Sequence, residues 1–219
     1  LVDVSNRSPA TQLFGRPLSM PVVIAPTGAA GLMWHHGELA LAQAAKQAGI
    51  PFTLATGSLA SIERVGSEVG GDLWFQLYIW PDRKASYDLV ARADAAGFNA
   101  LVVTVDTAVG SNREYNLRNG FTIPFRFSLR NIVDVATSPR WLATVLARYV
   151  ATTGWPQYEN YPPELRRSIV AKPMGKAVPK SDSLVWGDLS SLRQVWKRSL
   201  IVKGILDPED ALRALECGA

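Results

Sequence analysis

Five short apolar runs constrain this chain more than any other feature: 21–26 (PVVIAP), 52–56 (FTLAT), 73–79 (LWFQLYI), 100–106 (ALVVTVD) and 200–206 (LIVKGIL). Each is continuous rather than alternating, the pattern of a parallel strand covered on both faces. Helical patterns separate them at 37–48 (GELALAQAAKQA), 61–68 (SIERVGSE), 82–96 (DRKASYDLVARADAA) and 207–217 (DPEDALRALEC). The last has strong start chemistry, with Asp207 as N-cap, Pro208 at the first helical position, and Glu209 and Asp210 on the positive end of the helix dipole.

Strand, loop and helix repeated in this way, with Gly28, Gly49 and Gly97 at the turns, predict βα units on a parallel sheet. Polar residues recur at the carboxyl ends of the strands: Thr27, Thr56, Gln76, Tyr78, Thr104, Asp106 and Lys203. That recurrence favours a TIM (β/α)8 barrel, whose carboxyl edge carries the active site, over an open doubly wound sheet. About five of the eight units are present, and the sequence stops at Glu-Cys-Gly-Ala, where a sixth strand is expected. The expectation is therefore a partial barrel, one incomplete domain over 1–219, unable to close as an isolated polypeptide and exposing a sheet edge.

The segment 107–199 breaks the rhythm after the fourth strand and reads as a long insertion, with Pro124, Pro139, Pro156, Pro162 and Pro163. A loop of this length in a compact barrel is functional or disordered. The net charge of +4 is too small to argue for nucleic acid, but between Arg113 and Lys180 eleven Lys or Arg stand against four Asp or Glu. Within about 122–160, Arg126, Arg130, Arg140 and Arg148 mix with Phe125, Phe127, Trp141, Leu142, Val145, Leu146, Tyr149 and Trp155. This blend suits an interfacial membrane element, and equally a lid or an oligomer contact. No apolar stretch is long enough to span a bilayer, and no signal-peptide pattern is visible. The single cysteine, Cys217, excludes an intrachain disulfide or thiolate cluster within these residues and reads as a small half-buried residue near a helix end. No metal site is expected.

Taken singly, each polar strand end could serve only to satisfy backbone groups; together they suggest a site. Pro26-Thr27-Gly28 offers backbone and a surface without side chain to a flat ligand. Gln76 and Thr104 supply uncharged donors and acceptors suited to the edge of a heterocycle. Lys203, at the end of a buried strand, needs an anion or a developing anion beside it. Arg113 has the planar fork that grips a carboxylate, and Asp106 could orient a histidine acting as base, although an ordinary solvated loop explains this pair as well. A Schiff-base aldolase using Lys203 is an alternative.

The strings IAPTGAAGLMW, LATGSLASIE, DLWFQLYIW, VVTVDTAVGSNREYNLRNGF and IVKGIL resemble, in order and spacing, the FMN-dependent α-hydroxy-acid dehydrogenase and oxidase family. The likeness runs over nearly the whole chain, and IPFRFSLRNIVDVATSPRW is similar to that family's membrane-binding segment. It implies FMN as cofactor and oxidation of a mandelate- or lactate-like 2-hydroxy acid to the 2-oxo acid, with electrons passed to a membrane quinone. It further implies a homotetramer held peripherally on the cytoplasmic side of the inner membrane through about 122–160. Carried over by position, Pro26, Thr27 and Gly28 pack on the flavin ring, and Gln76, Thr104 and Lys203 bond its polar edge. Tyr78 and Arg113 hold the substrate, and Asp106 pairs with the catalytic histidine. Gly28 stands where many oxidases of the family carry alanine, which implies a dehydrogenase reacting poorly with oxygen.

Two departures stand out. Ala55 replaces a serine that often contacts the flavin in this family. The family's base histidine and second substrate arginine belong to an S-N-H-G-G-R motif expected beyond residue 219, and the tyrosine that the family contributes before the first strand is also absent from these residues. His35 and His36 are not expected to substitute for the base, so the isolated 219 residues are expected to be inactive.

Overall fold

The computed structural model describes residues 2–109, 112–122, 125, 127–162, 166, 168–170 and 183–219; Pro124, Arg126 and Pro163 of the expected insertion lie outside the described residues. The chain opens with an antiparallel hairpin, β1 (Thr11–Leu13) and β2 (Arg16–Leu18). Then follow α1 (Gly37–Ala48), β3 (Phe52–Ala55), α2 (Ile62–Glu68), β4 (Leu73–Leu77), α3 (Arg83–Ala95) and β5 (Ala100–Thr104). The insertion carries α4 (Glu114–Arg118), α5 (Leu129–Ala136), α6 (Pro139–Trp141), a π-helical stretch Leu142–Leu146, and α7 (Ala147–Thr152). After it come α8 (Trp186–Val195), β6 (Ser199–Lys203) and α9 (Pro208–Glu216).

Strands β3, β4, β5 and β6 hydrogen-bond in that order, all parallel, and the expected βα repeat produces an arc of an α/β barrel. The run 21–26 falls short of a full strand. It touches β3 through a single bridge, in which the Ile24 N–H donates to Pro51 O and Ile24 O accepts from the Thr53 N–H, both at 3.0 Å. Pro21 and Pro26 lack the amide donors that would extend the ladder.

Period-two alternation divides the sheet's two faces. The outward face, with Leu54, Phe75, Leu77, Leu101 and Val103, packs against Ile62, Val65, Leu89, Val90, Leu189 and Trp196 of the surrounding helices and loops. Each such side chain contributes about 1.5–3 kcal/mol by leaving water. The inward face holds Trp74, Ala100 and Val102, with Leu13, Val23 and Ile201 against them. Leu13 belongs to the hairpin, whose Phe14 ring lies 5.8 Å from Trp74 and whose Arg16 donates to Asn99 Oδ1 at 2.7 Å. The hairpin therefore plugs the amino end of the strands and leaves their carboxyl end to other residues.

Helix starts follow local chemistry. Ser61, Asp82, Ser128 and Asp207 cap α2, α3, α5 and α9 by accepting backbone N–H bonds two or three residues on. At α8 the Asp188 carboxylate accepts the Val185 N–H at 3.0 Å and also takes a two-pronged bond from Arg83, at 2.8 and 3.0 Å. That pair fastens α8 to α3, and Leu189, Leu192 and Trp196 bury it in the outer core. The expected insertion 107–199 thus contains one helix of the barrel's outer layer, and α4 to α7 add further short helices where it is described.

Candidate active site

Along the inward face, one row of side chains reaches the carboxyl ends of four strands: Ala55 on β3, Gln76 on β4, Thr104 on β5 and Lys203 on β6. Register sets the row, because Ala55 pairs with Gln76 and Thr104 pairs with Lys203. Gln76 is 2% exposed; its amide donates to Thr104 Oγ1 at 3.0 Å, and its Oε1 accepts the Thr56 N–H at 3.3 Å. The Thr56 hydroxyl donates to Gln76 O at 2.6 Å and accepts the Tyr78 N–H at 3.2 Å. These bonds fix the strand ends, and among the described residues they leave one Gln76 amide hydrogen and the Thr104 hydroxyl proton without an acceptor. Ala55, also buried, contributes no side-chain bond.

Beyond the row, Lys203 Nζ lies 3.3 Å from Asp106 Oδ2, with both side chains half-exposed. Gly204 makes this approach feasible: its φ is 105°, and a Cβ there would sit 2.6 Å from that of Asp106. Tyr78, 39% exposed, follows β4, and Arg113 stands exposed at the start of α4. On the other flank, Pro26 is half-buried while Thr27 and Gly28 are exposed. Their loop is tied down by the Ala29 N–H, which donates to Gly57 O at 2.8 Å from a left-handed residue. A methyl group on Gly28 would press on Gly57 O at 3.4 Å.

The insertion docks beside this loop. Trp141 Nε1 donates to Leu32 O at 2.7 Å, and the His36 N–H donates to the Tyr149 hydroxyl at 3.0 Å. Val145 and Tyr149, expected on a membrane face, are instead buried, because the π-helical stretch and α7 turn these side chains toward the barrel. The His35 and His36 rings lie 3.8 Å apart, tilted by 44°, and meet Tyr149 edge-on at 4.7 and 5.4 Å, while Arg64 Nη1 lies 3.3 Å from His36 Nδ1. Burial, the Arg64 guanidinium and His35 together lower His36 to a pKa of about 4. Both rings belong to this docking contact and make no hydrogen bond to the row among the described residues.

A second contact was not foreseen from the sequence. Asn160, fully buried, accepts the Ile62 N–H at 3.0 Å and donates to Ser58 Oγ at 2.8 Å and Ala60 O at 3.1 Å. It clamps 158–161 onto the loop after β3, where Tyr158 and Tyr161 stack at 4.7 Å. The only sequence signal was the polar Glu-Asn pair between two tyrosines, which says nothing of a partner some 100 residues away.

A neutral amide, a hydroxyl and an ammonium, in that order along one sheet edge beside a glycine surface, match the polar edge and flat face of a flavin. The parallel strands with their alternating helices are those of an α/β barrel, the fold of its solved relatives. The chain belongs to the FMN-dependent dehydrogenase family, which it matches over residues 1–219. It is 40% identical to (S)-mandelate dehydrogenase of Pseudomonas putida and 39% identical to L-lactate dehydrogenase of Pectobacterium atrosepticum. All of the chain is matched in each case, against 54% and 56% of those relatives, so it spans about half the length of the curated relatives it matches. Among solved structures, the monotopic membrane protein (S)-mandelate dehydrogenase superposes with a TM-score of 0.84 at 37% identity, covering all of this chain and 57% of that one. Among the described residues no helix is long and apolar enough to cross a membrane.

Proposed function

We propose that the gene product carrying these residues oxidises a 2-hydroxy acid of the mandelate or lactate type to the 2-oxo acid and passes the electrons to a membrane quinone at the cytoplasmic face. The row Ala55, Gln76, Thr104 and Lys203 is the observation that supports this reading best, since it presents uncharged hydrogen-bonding groups and one cation to a planar ligand. Bound FMN would supply acceptance of a hydride equivalent from the substrate carbon. The protein's part is to bind and orient. Gln76 and Thr104 hold the heterocycle edge, while Lys203 offers positive charge to its electron-rich pole. Arg113 grips the substrate carboxylate, and Tyr78 donates to the carboxylate or hydroxyl. Asp106 orients a histidine base that the resemblance places outside residues 1–219.

The aldolase alternative fares worse. A Schiff-base lysine needs a desolvated amine without an ionic partner, whereas Lys203 is half-exposed and rests on Asp106. Membrane contact has its own support. Phe127, Leu129, Ile132 and Val133 are exposed on and beside α5, near Arg130, and the structural relative is described as monotopic.

The test is direct: the purified gene product, loaded with FMN, is expected to lose its yellow colour anaerobically when given mandelate or lactate. A product that takes up no FMN, or that keeps its colour with both acids, overturns the proposal.

A further inference from the structure

We propose that Tyr158 and Tyr161 form the pocket wall that meets the side chain of the 2-hydroxy acid, selecting flat aromatic side chains over small aliphatic ones. The inference rests on the function proposed above and assigns specificity to residues outside the row.

Position carries the argument. Gly57 lies two residues beyond Ala55, at the carboxyl end of β3, and its carbonyl holds the loop that presents Gly28. A Cβ on Gly57 would lie 3.8 Å from Tyr158 Cε1 and 3.8 Å from the Tyr161 hydroxyl, so both tyrosines close on the backbone at that point. The insertion thus supplies, from a hundred residues away, the bulk that position 57 lacks. Tyr161 also stands edge-on to Trp80 at 5.1 Å, with planes 80° apart, and is within electrostatic reach of Tyr78, the residue proposed to touch the substrate.

Rigidity and chemistry agree with a wall. Asn160 pins the backbone between the two tyrosines, and the Glu159 N–H adds a bond to Ser58 O at 3.2 Å. The rings are stacked, only 16° from parallel. Burial keeps both phenols protonated to higher pH than usual, and among the described residues neither hydroxyl has a hydrogen-bond partner. A fixed aromatic pair with two unspent donors suits another ring, which gains edge or face contact there, more than a methyl group.

The test uses the FMN-loaded gene product with mandelate and lactate as probes, and calorimetric titration of phenylacetate as a readout independent of turnover. Replacing Tyr158 or Tyr161 by Leu is expected to lower the mandelate-to-lactate ratio of kcat/KM about tenfold and to weaken phenylacetate binding by a similar factor. Tyr158→Phe and Tyr161→Phe, which keep the rings and are the safer folders, are expected to stay within about threefold of the parent. An unchanged ratio in the Leu variants, or an equal loss with both acids, overturns the wall while leaving the proposed function intact. Failure of the unmodified protein to be reduced by either acid removes both.

Discussion

Lys203 and Asp106 hold each other at 3.3 Å across the ends of β6 and β5, and the contact exists because Gly204 has no side chain to keep them apart. Each was expected to serve a different partner, a flavin and a histidine. A pair in which both side chains are at least 40% exposed contributes no more than about 1 kcal/mol to folding. Lys203→Met is therefore expected to leave the thermal midpoint within about 3 °C of the parent while slowing anaerobic FMN reduction by about a hundredfold. A large fall in midpoint with unchanged reduction would give the lysine a structural role instead.

Gln76 behaves oppositely, being buried and paired at both ends of its amide. Gln76→Leu strips the Thr104 hydroxyl of its amide donor, while the Thr56 N–H keeps its bond to Gln76 O at 3.1 Å, at a cost of about 1–3 kcal/mol. Urea denaturation should show this as a lowered midpoint. Adding Thr104→Val should recover part of the loss, because it removes one stranded group; no recovery would mean that the Thr104 bond is not what the leucine disrupts.

For pH, His36 is the informative group. Its folded-state pKa, near 4, lies below the ordinary 6.5, so the folded state resists taking a proton that the unfolded chain accepts. The contribution is complete above about pH 6.5 and erodes as pH falls toward 4. The ring is partly solvated, so the effect is modest. His36→Asn should flatten the dependence of the thermal midpoint in that window relative to the parent, and parallel curves would remove His36 as its source.

On the membrane side, Leu129 and Val133 are 85% and 57% exposed on one face of α5. Leu129→Glu with Val133→Glu should weaken sedimentation with anionic vesicles by about tenfold or more, since each change replaces buried apolar area by a charge at the interface. FMN content should stay constant. Equal sedimentation would direct attention to another surface.

The sequence revealed those parts of the molecule that short-range rules control. Helices α1, α2, α3 and α9 fall where periodicity and caps put them, and three-residue or proline-bounded strands do not. The hairpin Thr11–Leu18 is too short to leave a period, and 21–26 has a strand's composition but two prolines at its ends. The Ser128 cap and the Leu129, Ile132, Val133 spacing were a readable helix signal inside the insertion, masked by the weight given to its prolines and aromatics. In the candidate site, Gln76, Thr104 and Lys203 were legible because strand ends and resemblance agree. Tyr158, Asn160 and Tyr161 were not, because their meaning depends on a contact with the loop after β3 that no local pattern encodes.

Asn160 also sets a timetable. Its partners at Ser58 and Ile62 precede it by 102 and 98 residues. At a synthesis rate of about 5–20 residues per second, the loop after β3 waits roughly 5–20 s before the side chain that satisfies it is made. During that interval the Ile62 amide and the ground beneath Tyr158 and Tyr161 are open, and the sheet strands on either side of them can already pair. The segment 158–161 is thus made after β3, β4 and β5 but before α8, β6 and α9, so in order of synthesis the wall reaches its loop while the strand that carries Lys203 is still to come.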